Sequence, residues 1–170
     1  MEKLALVILF VILLFFFLYK KKNKHQRNII SSKKIISKIN NFKHPGQKIN
    51  YLRKTDPFVF EEILLTAFEN NGYNIKRNKR YTGDNGIDGV VYNKKGETFL
   101  IQAKRYSNYI NLQHVKDFNE ILLKKGYKGF FIHSGKTGKK SKDEFRGSNM
   151  VIISGNNLIK LINNEYKEVF

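Results

Sequence analysis

GDNGIDGVVYNKKGETFLIQAKR, residues 83–105, is a glycine turn carrying two aspartates, followed by two short alternating runs on either side of Asn93-Lys94-Lys95-Gly96. Ile87 to Tyr92 and Thr98 to Ala103 show the period of two expected of half-buried strands. The four residues between them have the glycine and polar character of a hairpin turn. Side chains two apart on a strand share a face. The hairpin therefore sets Asp88, at the start of its first strand, opposite the end of the second, where Gln102 and Lys104 project together. An acid, an amide and a lysine converge.

Hydrolysis of a phosphodiester with a metal ion needs such a group: a carboxylate for a hard cation, further oxygen ligands, and a positive charge near the attacking water. Asp88, followed after thirteen residues by Gln102-Ala103-Lys104, resembles the D-(x)n-(D/E/Q)-x-K core of the PD-(D/E)XK nucleases. With Gly83, Asp84 and Gly86 in the turn before Asp88, the glutamine form resembles the Mrr-like type IV restriction endonuclease catalytic domain. Phe60-Glu61, twelve residues before Gly72-Tyr73, and the continuation Arg105-Tyr106 extend the resemblance over roughly Asp56 to Ile162.

The resemblance implies an α/β, restriction-endonuclease-like fold with a mixed sheet flanked by helices. It also implies a DNA endonuclease, acting in restriction of foreign or modified DNA, with Mg2+ as cofactor. Asp88, Gln102, Lys104 and Glu61 are then the catalytic residues. The cation is held by Asp88, the Ala103 carbonyl and Gln102 or Glu61, while Lys104 orients the water. Gln102 supplies oxygen without charge, so the cation is held more weakly than by a carboxylate there. Two other readings keep the fold: a non-catalytic protein tethering DNA to the membrane, and a junction or repair nuclease.

Leu4 to Tyr19, LALVILFVILLFFFLY, is apolar without interruption for 16 positions, about 24 Å as a helix. Flanking Lys3 and Lys20-Lys21-Lys22 can reach the interfaces of a bilayer. A cleaved signal peptide is the rival reading, but bulky Phe15 to Tyr19 run straight into lysines and no small-residue cleavage site follows. The lysines after the span put the rest of the chain in the cytoplasm by the positive-inside rule. The chain thus divides into a transmembrane anchor, residues 1–22, a basic linker, 23–54, and the nuclease domain, 55–165.

Residues 1–54 hold 13 Lys and Arg against one acid, a net of +12 out of +18 for the whole chain. Such a juxtamembrane run suits anionic lipid and can also contact DNA without sequence preference. Ile29, Ile30, Ile35, Ile36 and Ile39 recur at roughly helical spacing in it, which fits either a basic amphipathic helix or a flexible linker.

The domain opens with a helix capped by Thr55 or Asp56, with Pro57 in its first turn and a buried stripe of Phe60, Ile63, Leu64, Ala67 and Phe68. Glu62 and Glu69 fall off the stripe and read as solvated. Element order across the domain is α-β-β-β-α-β-α-β-α, with strands near 73–80, 87–92, 98–103, 128–133 and 150–154.

Lys136, Lys139 and Lys140 form a basic cluster that, with Asp84, Arg105 and Tyr106, is a candidate DNA surface; Tyr81 and Tyr109 lie near it in sequence. Gly135-Lys136-Thr137 lacks the earlier glycine of a phosphate loop, Phe130 standing there. The four histidines share no ligand spacing and there is no cysteine, which excludes a usual zinc site and a disulfide framework. A homodimer is compatible with the sequence.

Overall fold

The computed structural model describes residues 2–78 and 86–167, with backbone alone at residues 2, 20–23, 140 and 142. Helix α1 runs unbroken over Glu2–Asn40, 39 residues, about 58 Å at the helical rise of about 1.5 Å. Its first half exposes Leu4 and Leu6 to Tyr19, and none of this apolar window is buried in the fold. The second half buries Asn28, Ser32, Ile36 and Ile39, whose spacing of three and four puts them on one face. Of the two readings of this segment, the chain adopts the helix. Helix α2, Pro45–Lys54, follows and buries Lys48 and Leu52; the Lys48 ammonium donates to Asn163 Oδ1 at 3.2 Å.

Helix α3, Pro57–Asn70, starts at Asp56, whose carboxylate accepts from the Phe58 and Val59 amides at 2.9 and 3.2 Å. Thr55 instead closes α2 by donating to the Tyr51 carbonyl. The stripe expected from the sequence is buried, but so is every residue from Glu62 to Phe68. The sheet covers one side of α3 and α1 covers another, so a single-stripe reading understates its burial.

Glu62 is the consequence: expected in solvent, it is 2% exposed. A buried carboxylate must be paired. Arg77 Nε donates to its Oε2 at 2.8 Å and His25 Nδ1 lies 3.6 Å from its Oε1. The Arg77 guanidinium also reaches Thr66 Oγ1, which meets Ser32 Oγ of α1 at 3.1 Å. Glu69 remains half exposed, 3.4 Å from Arg77.

The remaining elements are β1 (Asn74–Arg77), β2 (Gly89–Tyr92), β3 (Thr98–Lys104), α4 (Leu112–Lys125), β4 (Lys128–His133), α5 (Lys139–Glu144), β5 (Met150–Ile153) and α6 (Gly155–Ile162). They form a five-stranded sheet in the order β1-β2-β3-β4-β5. β1, β2 and β3 are antiparallel, whereas β3, β4 and β5 run parallel. This is the mixed sheet flanked by helices that the sequence implied. Phe99, Ile101 and Ala103 pack with α3 and α6, while Leu100 packs with Val115, Phe118 and Leu122 of α4.

The hairpin is pinned at its turn. Asn93 Oδ1 accepts from the Lys95 and Glu97 amides at 3.0 and 2.9 Å, and Gly96 takes φ +82°, the left-handed region that favours glycine.

Candidate active site

Asp88 lies directly before β2, and its geometry follows from where the β2–β3 ladder stops. Its amide donates to the Ile101 carbonyl at 2.8 Å, and its Oδ2 accepts the Ala103 amide at 2.7 Å. The carboxylate thus satisfies a strand amide that has no backbone partner beyond the end of β2. Alternate residues of a strand address opposite neighbours, and a residue's N–H and C=O point the same way. The Lys104 carbonyl serves the β4 side, accepting from Ser134 N at 3.3 Å. The Ala103 carbonyl accordingly shares the Asp88 edge.

Glu61 is brought in by a glycine. A Cβ on Gly89 would fall 2.6 Å from Leu65 Cδ2, so the bare backbone lets α3 settle close onto β2. Leu65 and Glu61 are one turn apart and share a face of α3, which turns Glu61 toward Asp88 and Lys104. Burial first, then the charges of Asp88 and Glu62, push the Glu61 carboxyl up to about 8, against a pull from Lys104.

Gln102 is 5% exposed. Its Nε2 donates to the Gly86 carbonyl at 2.7 Å, which fixes the amide's orientation. The other end, Oε1, is buried and has no hydrogen-bond partner among the described residues. Gly86 takes φ +78°, and a Cβ there would sit 2.7 Å from Gln102 Nε2. A turn glycine and the buried amide are therefore one device.

The Glu61 and Asp88 carboxyls, the Ala103 carbonyl on the Asp88 edge and the Gln102 amide oxygen are the oxygen donors available to a hard divalent cation. Among the described residues no three His, Cys, Asp or Glu side chains gather to hold a metal by themselves. The fit therefore depends on the Gln102 and Ala103 oxygens.

The candidate DNA residues are less uniform. Arg105 Nη1 donates to the Arg53 carbonyl at 3.1 Å, near the end of α2, and Arg53 Nε donates to the Ser134 carbonyl at 3.0 Å. Tyr106 stacks on His114 and shares a 2.7 Å hydrogen bond with its Nδ1; burial raises the Tyr106 phenol above its usual range. Lys136 and Lys139 are exposed, with the Lys136 ammonium 5.8 Å from the Tyr109 ring. The Lys140 side chain, and Tyr81, Gly83 and Asp84, lie outside the described residues.

His133 is fully buried, bonded to Thr137 Oγ1 through Nε2 and to the Gly135 amide through Nδ1. Burial lowers it to about 4, so it is neutral near pH 7. Sequence reasoning passed over Arg53, Arg77, His25 and His114. The clue lay in His25, Asn28, Ser32, Ile36 and Ile39, one helical face on which polar residues interrupt the apolar pattern.

A restriction endonuclease model, that of the Mrr catalytic domain, matches residues 52–162. Among solved structures, the MspJI restriction endonuclease in complex with a 27-mer oligonucleotide is similar at TM-score 0.54 and 19% identity, over 71% of this chain and 31% of that one. The chain thus spans about a third of that protein. Pyrococcus furiosus SfsA in complex with Ca2+ aligns at TM-score 0.39 and 16% identity, over 56% of this chain and 54% of that one. No curated protein matches.

Proposed function

From the premise that the chain belongs to the restriction endonuclease family of the Mrr catalytic domain, we propose that it is a membrane-anchored endonuclease hydrolysing DNA phosphodiester bonds with a divalent cation, Mg2+. What supports this reading is Glu61, whose carboxyl feels the charges of Asp88 and Lys104, together with Asp88 fastened to the Ala103 amide on the strand that carries Gln102 and Lys104. A bound Mg2+ supplies Lewis acidity, polarising the scissile phosphate and lowering the pKa of a water.

The chain's own groups do the rest. Asp88 is held in place by the Ala103 amide, which fixes the orientation of its carboxylate. Gln102, fixed through Gly86, offers a neutral oxygen. Glu61 keeps a proton near pH 7 and gives it up when positive charge arrives. Lys104 orients the attacking water and offsets the charge that builds on the phosphate as the bond to the leaving oxygen breaks. Lys136 and Lys139, both exposed, with Arg105 and Tyr106, are the candidate contacts to backbone phosphates.

The first half of α1 is long and apolar enough to cross a bilayer. The lysines that follow it support a cytoplasmic domain, and the substrate is then foreign or modified DNA reaching the cell. Digestion of methylated and unmethylated supercoiled plasmid by the detergent-solubilised full chain tests the reading. Cutting that requires Mg2+ or Mn2+ supports it, whereas DNA binding without cutting in either ion points to a DNA tether.

A further inference from the structure

Helix α1 is continuous from its apolar half into the half that docks on the domain, and this sets where the candidate active site lies. Lys24 is five residues beyond Tyr19, about 7.5 Å along the axis, and its ammonium lies 5.1 Å from the centre of the Phe58 ring in the first turn of α3. His25, one residue further, meets Glu62. Glu62 adjoins Glu61, the α3 member of the candidate site. The first two turns of α3 are thus bolted to the part of α1 that emerges from the apolar segment.

The attachment is extensive. It includes the His25–Glu62 contact, the buried Ser32–Thr66 contact, and Ile36 and Ile39 in the main core. Among the described residues α1 has no break between Glu2 and Asn40, and helices bend sharply only at identifiable faults such as proline, glycine pairs or bulges. Residues 20–27 hold no proline or glycine. A helix of this kind is a strut, not a leash.

We infer that α1 is a rigid stem holding the nuclease site at a set height beside the bilayer surface, so that its substrate is duplex DNA lying along the membrane. The inference rests on the membrane anchor proposed above. Lys20 to Lys24 and Arg27, in the gap between the span and the domain, suit this placement chemically. A basic stretch between the two offsets the repulsion of anionic headgroups for the phosphates of a duplex. DNA free in solution, away from the membrane, is not the arrangement this geometry serves.

The chain has no cysteine, so one label can be placed at will. The test reconstitutes the full chain in phosphatidylcholine–phosphatidylglycerol vesicles with a dye on Lys124→Cys, an exposed site on α4. Energy transfer to a headgroup acceptor then gives the height distribution, which does not depend on catalysis. A rigid stem gives one narrow distribution, and eight inserted Gly/Ser residues after Asn23 broaden it at least twofold. Equal breadth in the two proteins overturns the stem, and failure to enter vesicles overturns both the stem and the anchor. In a second arm, a duplex fixed to the vesicle at one end by a lipid anchor is cut within a narrow window near that end. The insertion widens the window. Cuts spread evenly by the uninserted protein overturn the substrate geometry, whereas loss of all cutting with a narrow height distribution counts against the endonuclease reading and leaves the stem standing.

Discussion

Asp88 Oδ2 accepts the Ala103 amide at 2.7 Å, so the carboxylate that opens β2 is fastened to the strand carrying Gln102 and Lys104. This one bond sets the spacing of the candidate site. From the sequence Asp88 reads as a carboxylate at the start of a strand, a candidate for the cation, yet it also satisfies an amide of a residue only 9% exposed. Asp88→Ala should therefore destabilise the fold by about 1–3 kcal/mol as well as abolish cutting. Asp88→Asn, which keeps an acceptor, should restore most of the stability and none of the activity. Urea unfolding beside plasmid cleavage separates the two effects.

Gln102→Glu adds a charge where the orphaned Oε1 lies. It should tighten Mg2+ binding, measured by calorimetry, while costing stability in the cation-free protein, because a third carboxylate joins Glu61 and Asp88. Unchanged affinity would separate Gln102 from the cation.

Glu61 gives a pH signature. Its carboxyl stands near 4.5 unfolded and about 8 folded, so between those values the folded protein retains a proton that the unfolded chain has released. Without a cation, stability falls as pH rises across that window. Glu61→Gln should flatten the slope and stabilise the protein at pH 8 by roughly 2–3 kcal/mol, a figure discounted for partial exposure. Saturating Mg2+ should erase the advantage. Chemical denaturation from pH 5 to 8.5 measures both.

His133 acts in the opposite direction. Burial lowers it from 6.5 to about 4, so its contribution is complete above 6.5 and is lost as pH falls toward 4, where the unfolded chain binds a proton first. His133→Gln should remove part of the acid sensitivity between those limits, read from midpoint denaturant concentrations at pH 4.5 and 7.

Truncation should be tolerated up to residue 22 and not to residue 50. The longer deletion strips Asn28, Ser32, Ile36 and Ile39 from α3 and leaves Glu62 without His25. Ile39→Ala alone should cost about 2–5 kcal/mol by the cavity it leaves. Thermal melts of residues 23–170 and 51–170 would show a cooperative transition for the first and a lowered or absent one for the second.

The hairpin, the order of elements and the α3 stripe were legible because each rests on local signals: alternation around Asn93 to Gly96, the Asp56 cap, the period of Phe60 to Phe68. Strand periodicity alone puts Gln102 and Lys104 on one face of their strand, and the Asp88–Ala103 bond fastens Asp88 beside that strand. What was not legible depends on contacts distant in sequence. Glu62 looks like any helix glutamate until α1, some 35 residues earlier, is laid over it. Gly86 reads as a turn residue and Gly89 as one position of a strand, yet one makes room for the Gln102 amide and the other for Leu65. Arg105 looks available to DNA, but the distant carbonyl of Arg53 takes one of its donors.

The central claim is that these residues form a cation-dependent DNA-cutting site, and side-by-side nicking of supercoiled plasmid tests it most directly. Purified wild type, Asp88→Ala and Lys104→Ala are compared in Mg2+, in Mn2+ and in EDTA, with Mn2+ binding measured on each. Cutting is expected from wild type only and only with a divalent cation, with Mn2+ binding lost in Asp88→Ala and retained in Lys104→Ala. Equal nicking by wild type and Asp88→Ala, or no cutting by wild type in either ion, would contradict it.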